Sequence, residues 1–152
     1  MESARNITLY AKWAASTYPI TYNANGATSG SVPAAQTKIH DVALILGANS
    51  SALVKTGYTF SGWNTAADGT GTNHAAGANY TANAALNLYA KWTLNTHTVS
   101  AAANIQNGSI TPATRSVGHN ATTTFTVTPN PGYAIASVTG CGGTLSGSTY
   151  TT

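Results

Sequence analysis

Charge is the scarcest property of this sequence. Only 6% of its 152 residues are charged: three acids (Glu2, Asp41, Asp68) and six basic residues, against roughly a quarter in an ordinary soluble domain. Hydroxyl and amide groups must then cover the surface. Such a surface is common in secreted and cell-surface β-proteins and unusual for a cytoplasmic enzyme. The net charge of +3 reflects missing acids rather than a basic patch, since no two basic residues adjoin. Nucleic-acid binding, which rests on clustered Lys and Arg, is therefore not expected.

Long apolar runs are also missing. No stretch approaches the ~18 apolar residues of a membrane-crossing helix, so no membrane span is expected. The start, Met1-Glu-Ser-Ala-Arg5, lacks the apolar core of a signal peptide. Any export signal is expected upstream. One cysteine, Cys141, excludes an internal disulfide. A leftover cysteine in an exported chain suggests an intermolecular bond or a partner outside the fragment. A small buried thiol is the alternative, although Gly140, Gly142 and Gly143 around it favour a turn.

The shortage of acids removes most catalytic chemistry. A carboxylate pair for glycoside hydrolysis would have to be Asp41 with Asp68, and nothing in their spacing supports it. Asp68-Gly-Thr-Gly71 superficially resembles a calcium loop, but calcium wants several carboxylates among its six to eight oxygens. A tight turn is the better reading. His40, His74, His97 and His119 stand singly, without metal-ligand spacing, so no metal or cofactor is expected. There is no Gly-x-Ser-x-Gly elbow, and Cys141 lacks the basic neighbours that would activate a thiolate. The Asn-x-Ser/Thr triplets follow from composition and carry no information.

What the chain does have is an exact repeat. Leu9-Tyr-Ala-Lys-Trp13 recurs as Leu88-Tyr-Ala-Lys-Trp92, and self-similarity of this kind marks a modular array. Residues 6–13 alternate, with Ile7, Leu9, Ala11 and Trp13 on one face, which predicts a half-buried strand. That strand is expected to close a preceding repeat. A complete unit then spans 17–93. Tyr18, Ile20 and Tyr22 share a strand face, and Asn25-Gly26 supplies a turn. Pro33 is confined to an edge or a strand end. Val42–Leu46 reads as a buried strand, and Asn49–Val54 as the cap and start of one helical turn.

Gly57 opens a central strand in which Tyr58 and Phe60 share a face. Trp63 would point the other way unless Gly62 forms a bulge. Residues 94–152 echo this unit more loosely. Asn107-Gly parallels Asn25-Gly26, and Phe125 and Val127 face inward between outward threonines.

These motifs resemble a known family. Gly57-Tyr-Thr-Phe-Ser-Gly-Trp-Asn64, the Asp68-Gly-Thr-Gly71 loop and Leu-Tyr-Ala-Lys-Trp look like the Listeria–Bacteroides repeat, the B-repeat of internalin-type surface proteins. The likeness covers 17–93 and, as the end of an earlier copy, residues 6–13. Residues 94–152 look like the divergent B-repeat. The resemblance implies a mainly β chain with little or no helix: tandem small β-grasp-like units with mixed and antiparallel sheets. It places them in large exported bacterial surface proteins, with no catalytic residues to carry over. Three segments are thus expected: 1–16 as leader and closing strand of a truncated repeat, 17–93 as a full unit, and 94–152 as a divergent unit lacking its last strand. That missing strand is where the resemblance would put a partner for Cys141. The low acid content departs from the family's usual pattern.

The aromatics admit two readings. Tyr58, Phe60, Trp63, Tyr80, Tyr89 and Trp92 are needed as core in a unit this small. Alternatively they form a stacking platform for sugar rings, with Trp63 and Tyr89 as contacts and Asn64 and Asp68 as hydrogen-bonding groups. Tyr10 and Tyr89 are expected to face outward. The leading reading is a non-enzymatic spacer of a bacterial surface protein, in contact with neighbouring repeats. The alternative is an adhesive or carbohydrate-binding module that meets a host or cell-wall protein or glycan. Strand-mediated self-association through residues 6–13 is a further expectation, because an orphan strand complements an open edge.

Overall fold

The computed structural model describes residues 8–49 and 51–152. Among these residues there are thirteen strands and no helix: β1 (Thr17–Asn23), β2 (Gln36–Ile39), β3 (Leu44–Ile45), β4 (Tyr58–Asn64), β5 (Asn73–His74), β6 (Asn79–Tyr80), β7 (Leu86–Leu94), β8 (Thr96–Ser100), β9 (Gly108–Thr111), β10 (Thr114–Gly118), β11 (Thr124–Pro129), β12 (Thr144–Ser146) and β13 (Thr149–Thr151). The chain divides into two compact units. One runs to Leu53 and includes Ser61–Lys91; the other comprises Val54–Phe60 and Trp92–Thr152.

The first unit is built on a five-stranded sheet in the order β2-β1-β7-β4-β5. β1 pairs antiparallel with β2 but parallel with β7, with Ile20 opposite Leu86 and Tyr22 opposite Leu88. Such parallel pairing requires a long crossover, which β2 through β6 provide. β3 and β6 form a separate two-stranded ladder. The expected alternation of β1 holds: Ile20 is fully buried and flanked by half-buried Tyr18 and Tyr22. Asn25 and Gly26 both take positive φ, as the turn requires. Ile20, Leu46, Leu53, Trp63, Tyr80, Leu88 and Ala90 make the core.

Gly62 does what the position of Trp63 demanded. Its φ of +117° is one that side chains rarely adopt, and a Cβ there would stand 2.9 Å from the His74 carbonyl oxygen. At this point the alternation of β4 breaks, and Gly62, Trp63 and Asn64 are buried in succession. Trp63 thereby reaches the core.

Three expectations fail. Residues 8–13 form no strand, and Leu9, Tyr10 and Trp13 are 89–90% exposed; Asn6 and Ile7 lie outside the described residues. Alternation shows what a strand would bury, but a strand forms only beside a partner. The run Val42–Leu46 contributes just the two residues of β3, and Val42 and Ile45 are exposed while Leu46 is buried. Its apolar side chains do not share one interior. Asn49 and residues 51–54 begin no helix. Instead the Asn49 Oδ1 accepts from the Leu53 N–H at 2.7 Å, and Ala52 takes φ +46°, so the asparagine closes a turn rather than capping a helix.

The second unit has a four-stranded antiparallel sheet, β12-β13-β11-β9, and a two-stranded pair, β10-β8. Phe125 and Val127 are buried between exposed threonines, as the alternation predicts, and Val117 and Tyr150 join them in the core. Asn107 sits at φ +62° in the expected turn.

Candidate functional site

The four ligand-contact candidates fall into different environments. Trp63 is wholly buried, its ring centroid is 4.9 Å from that of Tyr22, and its Nε1 donates to the Gly47 carbonyl at 2.8 Å. Such a ring presents no face on which a sugar could stack. Tyr89 is half-buried, on the face of β7 opposite the buried Leu88 and Ala90. Tyr10 is exposed, as expected.

Asn64, also buried, is the anchor of the 64–73 loop. Its Nδ2 donates to the carbonyls of Gly69 (3.2 Å) and Gly71 (3.0 Å) and to the Asn73 Oδ1 (2.8 Å). Its Oδ1 accepts from the N–H groups of Ala66 (2.8 Å) and Gly71 (3.1 Å). One amide thus satisfies a whole turn whose backbone would otherwise lack partners.

Asp68 stands fully in solvent at the tip of this loop. Its Oδ1 accepts from the Thr70 N–H (3.0 Å) and hydroxyl (2.7 Å). These hydrogen bonds, the backbone one first, hold its carboxyl below the usual range. The arrangement is a closed side-chain turn that engages the Oδ1 of the carboxylate.

Asp41 is engaged elsewhere, at the turn after β2, so each of the two aspartates serves its own turn. Among the described residues no three His, Cys, Asp or Glu side chains gather where a metal could be held. Cys141 is exposed and free at φ +49°. It borders a cavity of about 150 Å³ within the second unit, beside Phe125, Val138 and Tyr150.

A cluster that motif reasoning did not find lies at the end of β2. Lys38 is completely buried. Its Nζ donates to the Ile39 carbonyl (2.6 Å) and to the Asn83 Oδ1 (3.1 Å). That same Oδ1 accepts from the Asp41 N–H (2.9 Å), while the Asn83 Nδ2 donates to the Asp41 Oδ1 (2.6 Å). His40 completes the group: its Nε2 lies 3.5 Å from both the Asn83 Nδ2 and the Asp41 Oδ2, and its Nδ1 meets the Tyr18 hydroxyl at 2.9 Å. Lys38, His40 and Asp41 are neighbours in sequence, but nothing local pairs them with Asn83. The one available signal was a lysine at a position where the alternation of β2 points inward.

Comparison with known proteins places this fold. Residues 18–91 match the family model described as the Listeria-Bacteroides repeat domain, and residues 97–152 match the Divergent InlB B-repeat domain. Two proteins of Evansella cellulosilytica are similar. One, named "Putative membrane protein", is 34% identical over 83% of this chain and 20% of its own length. The other, named "Putative Gly-rich membrane protein", is 35% identical over 64% of this chain and 11% of its own length. The chain thus spans a fifth or less of the relatives it matches. No solved structure matches it significantly. The chain carries a Listeria-Bacteroides repeat domain followed by a divergent InlB B-repeat domain.

Proposed function

We propose that the segment is a non-catalytic spacer of an exported bacterial surface protein, holding other domains away from the cell. The observation that carries this reading is the parallel pairing of the first and last strands of the first unit, β1 with β7. Tension entering at Thr17 and leaving beyond Lys91 pulls these strands in opposite directions along their common axis. All their ladder bonds then share the load together instead of opening one by one. Two further features support it. The large aromatic Trp63 is spent on core, and the Asn64–Asp68 loop bonds to itself. The sparse charge also leaves little pH-dependent stability, which suits a protein outside the cell.

Single-molecule stretching of the whole chain from its two ends tests the reading. Two unfolding events are expected, with residues 18–91 yielding at the higher force. In the second unit the first and last strands, β8 and β13, lie in different sheets and share no ladder. If the first unit gave way at forces near those of an unfolded chain, the spacer reading would be wrong.

One observation favours the adhesive alternative: Leu9, Tyr10 and Trp13 are almost fully exposed, and an apolar strand-forming segment is a natural donor for strand addition. Saturable binding of the purified chain to cell-wall glycan or to a host surface, lost when these three are replaced by serine, would establish that reading instead.

A further inference from the structure

We propose that Lys38 and Asn83 become joined by an intramolecular isopeptide bond, with Asp41 as the catalytic carboxylate. The starting point is the completely buried ammonium of Lys38. Burying a charge without a counter-charge is costly. Yet among the described residues no carboxylate pairs with Lys38; the Asp41 Oδ2 instead lies 3.5 Å from the His40 Nε2. The Nζ is held by two neutral oxygens, of Ile39 and Asn83. Amide formation removes that charge from the interior.

The geometry also suits the reaction. The Asn83 Oδ1 is 3.1 Å from Nζ, and a carbonyl bond is about 1.2 Å, so the reacting carbon lies within about 4.3 Å of the nucleophile. The Asp41 N–H points at Oδ1 (2.9 Å), where it polarises the carbonyl and stabilises the oxyanion that forms. The Asp41 carboxylate contacts the Asn83 Nδ2 (2.6 Å), the nitrogen that has to leave. His40, 3.5 Å from that nitrogen and from the carboxylate, borders the same path.

In the step itself the Lys38 ammonium first gives up one proton, relayed by a water molecule to the Asp41 carboxylate, and the Nζ lone pair so freed attacks Cγ of Asn83. The resulting tetrahedral carbon bears Nζ, the oxyanion and the amide nitrogen. Asp41 then gives its proton to the amide nitrogen, which it already contacts, and as carboxylate takes another from Nζ, now bonded to the same carbon. The Cγ–Nδ2 bond then breaks, the carbonyl re-forms, and ammonia departs. The extra proton of the original ammonium leaves with it as an ammonium ion. No oxidant or co-reactant is required, and the exposed side of Asp41 gives the product a way out.

The bond would tie the end of β2 to the segment before β7, across 45 positions of chain. Under tension those intervening residues could not extend, so each unfolding of the first unit would release less length.

The test is mass spectrometry of the intact full chain and of its digest, on fresh and long-incubated protein. The expected result is a loss equal to one ammonia, together with a branched peptide linking Lys38 to Asn83. Lys38→Met is expected to abolish both, and Asp41→Ala to slow them at least tenfold. Blue tryptophan emission from Trp63 reports whether each variant has folded. Asn25-Gly26 and Asn107-Gly108 can also lose ammonia by cyclising, so the branched peptide decides. A native digest without the branched Lys38–Asn83 peptide, whatever the intact mass, overturns the proposal. The native digest does so on its own even if a variant fails to fold.

Discussion

Asn64 is bonded to Gly71 through both ends of its side-chain amide: Nδ2 donates to the Gly71 carbonyl and Oδ1 accepts from its N–H. Asn64→Asp keeps the shape and removes the donor, turning a second carboxylate oxygen toward the carbonyls of Gly69 and Gly71. A loss of about 2–4 kcal/mol is expected, in line with buried polar groups left unpaired. Urea unfolding followed by Trp63 emission measures it. A change below about 0.5 kcal/mol, the range of ordinary surface substitutions, would mean that the loop does not depend on this anchor.

The three tryptophans should separate cleanly by acrylamide quenching. Trp63 is buried, Trp92 is half-buried and packs edge-on against Phe60 at 5.8 Å, and Trp13 is 89% exposed. Trp13→Phe should remove most of the quenchable, red-shifted emission. The remaining signal should be blue and resistant. If a strongly quenched population survived the substitution, Trp63 or Trp92 would offer an accessible face, and a stacking surface would return as the reading of the aromatic set.

The sequence made the repeat frame legible because its signals are local. The alternation of Tyr18, Ile20 and Tyr22, the glycines at positive φ and the inward pair Phe125 and Val127 each depend on a few adjacent residues. The break in alternation at Gly62 was legible too, since only such a break lets Trp63 join Phe60's strand and still be buried. What could not be read was anything fixed by a distant partner. Residues 8–13 have the pattern of a strand but pair with no strand among the described residues, and Asn49 found the Leu53 N–H in a turn rather than in a helix. The candidate site failed for the same reason. Asn64 looked like a free amide until the loop folded around it, and Lys38 meets Asn83 only after β3 through β6 have crossed over.

The alkaline limit of stability should belong to Tyr22. Its hydroxyl donates to the Gln36 Oε1 (2.5 Å) and accepts from the Gly47 N–H (2.6 Å). Burial raises its pKa, and the Gly47 hydrogen bond offsets this only in part. A group whose folded pKa lies above its unfolded value stabilises fully below the unfolded value, about 10 for tyrosine, and loses that contribution as pH rises through the folded value. Urea midpoints should therefore be nearly flat through neutral pH and fall above about pH 10. In Tyr22→Phe that fall should shrink. Asp68 gives the opposite sign: its lowered pKa means that its turn is supported above the ordinary carboxylate range and released as pH falls through the folded value. An alkaline fall of equal size in Tyr22→Phe would assign it to another tyrosine.

The exact repeat offers an internal control that few proteins provide. Leu9 and Leu88 begin the same pentapeptide, yet Leu9 is 90% exposed and Leu88 1% exposed. Leu88→Ala should cost about 2–5 kcal/mol, from lost burial plus the cavity left behind. Leu9→Ala should stay within about 0.5 kcal/mol, as an exposed position without partners in the fold. Residues 8–13 cannot take the place of β7 beside their own β1, because parallel pairing needs a crossover of a dozen or more residues. Ala14, Ala15 and Ser16 alone separate Trp13 from β1. Any stabilisation from Leu9 must then come from another molecule. A midpoint for the native chain that rises with protein concentration, but not for Leu9→Ala, would reveal strand exchange between copies. Equal midpoints at all concentrations would show the segment to be without a partner in solution.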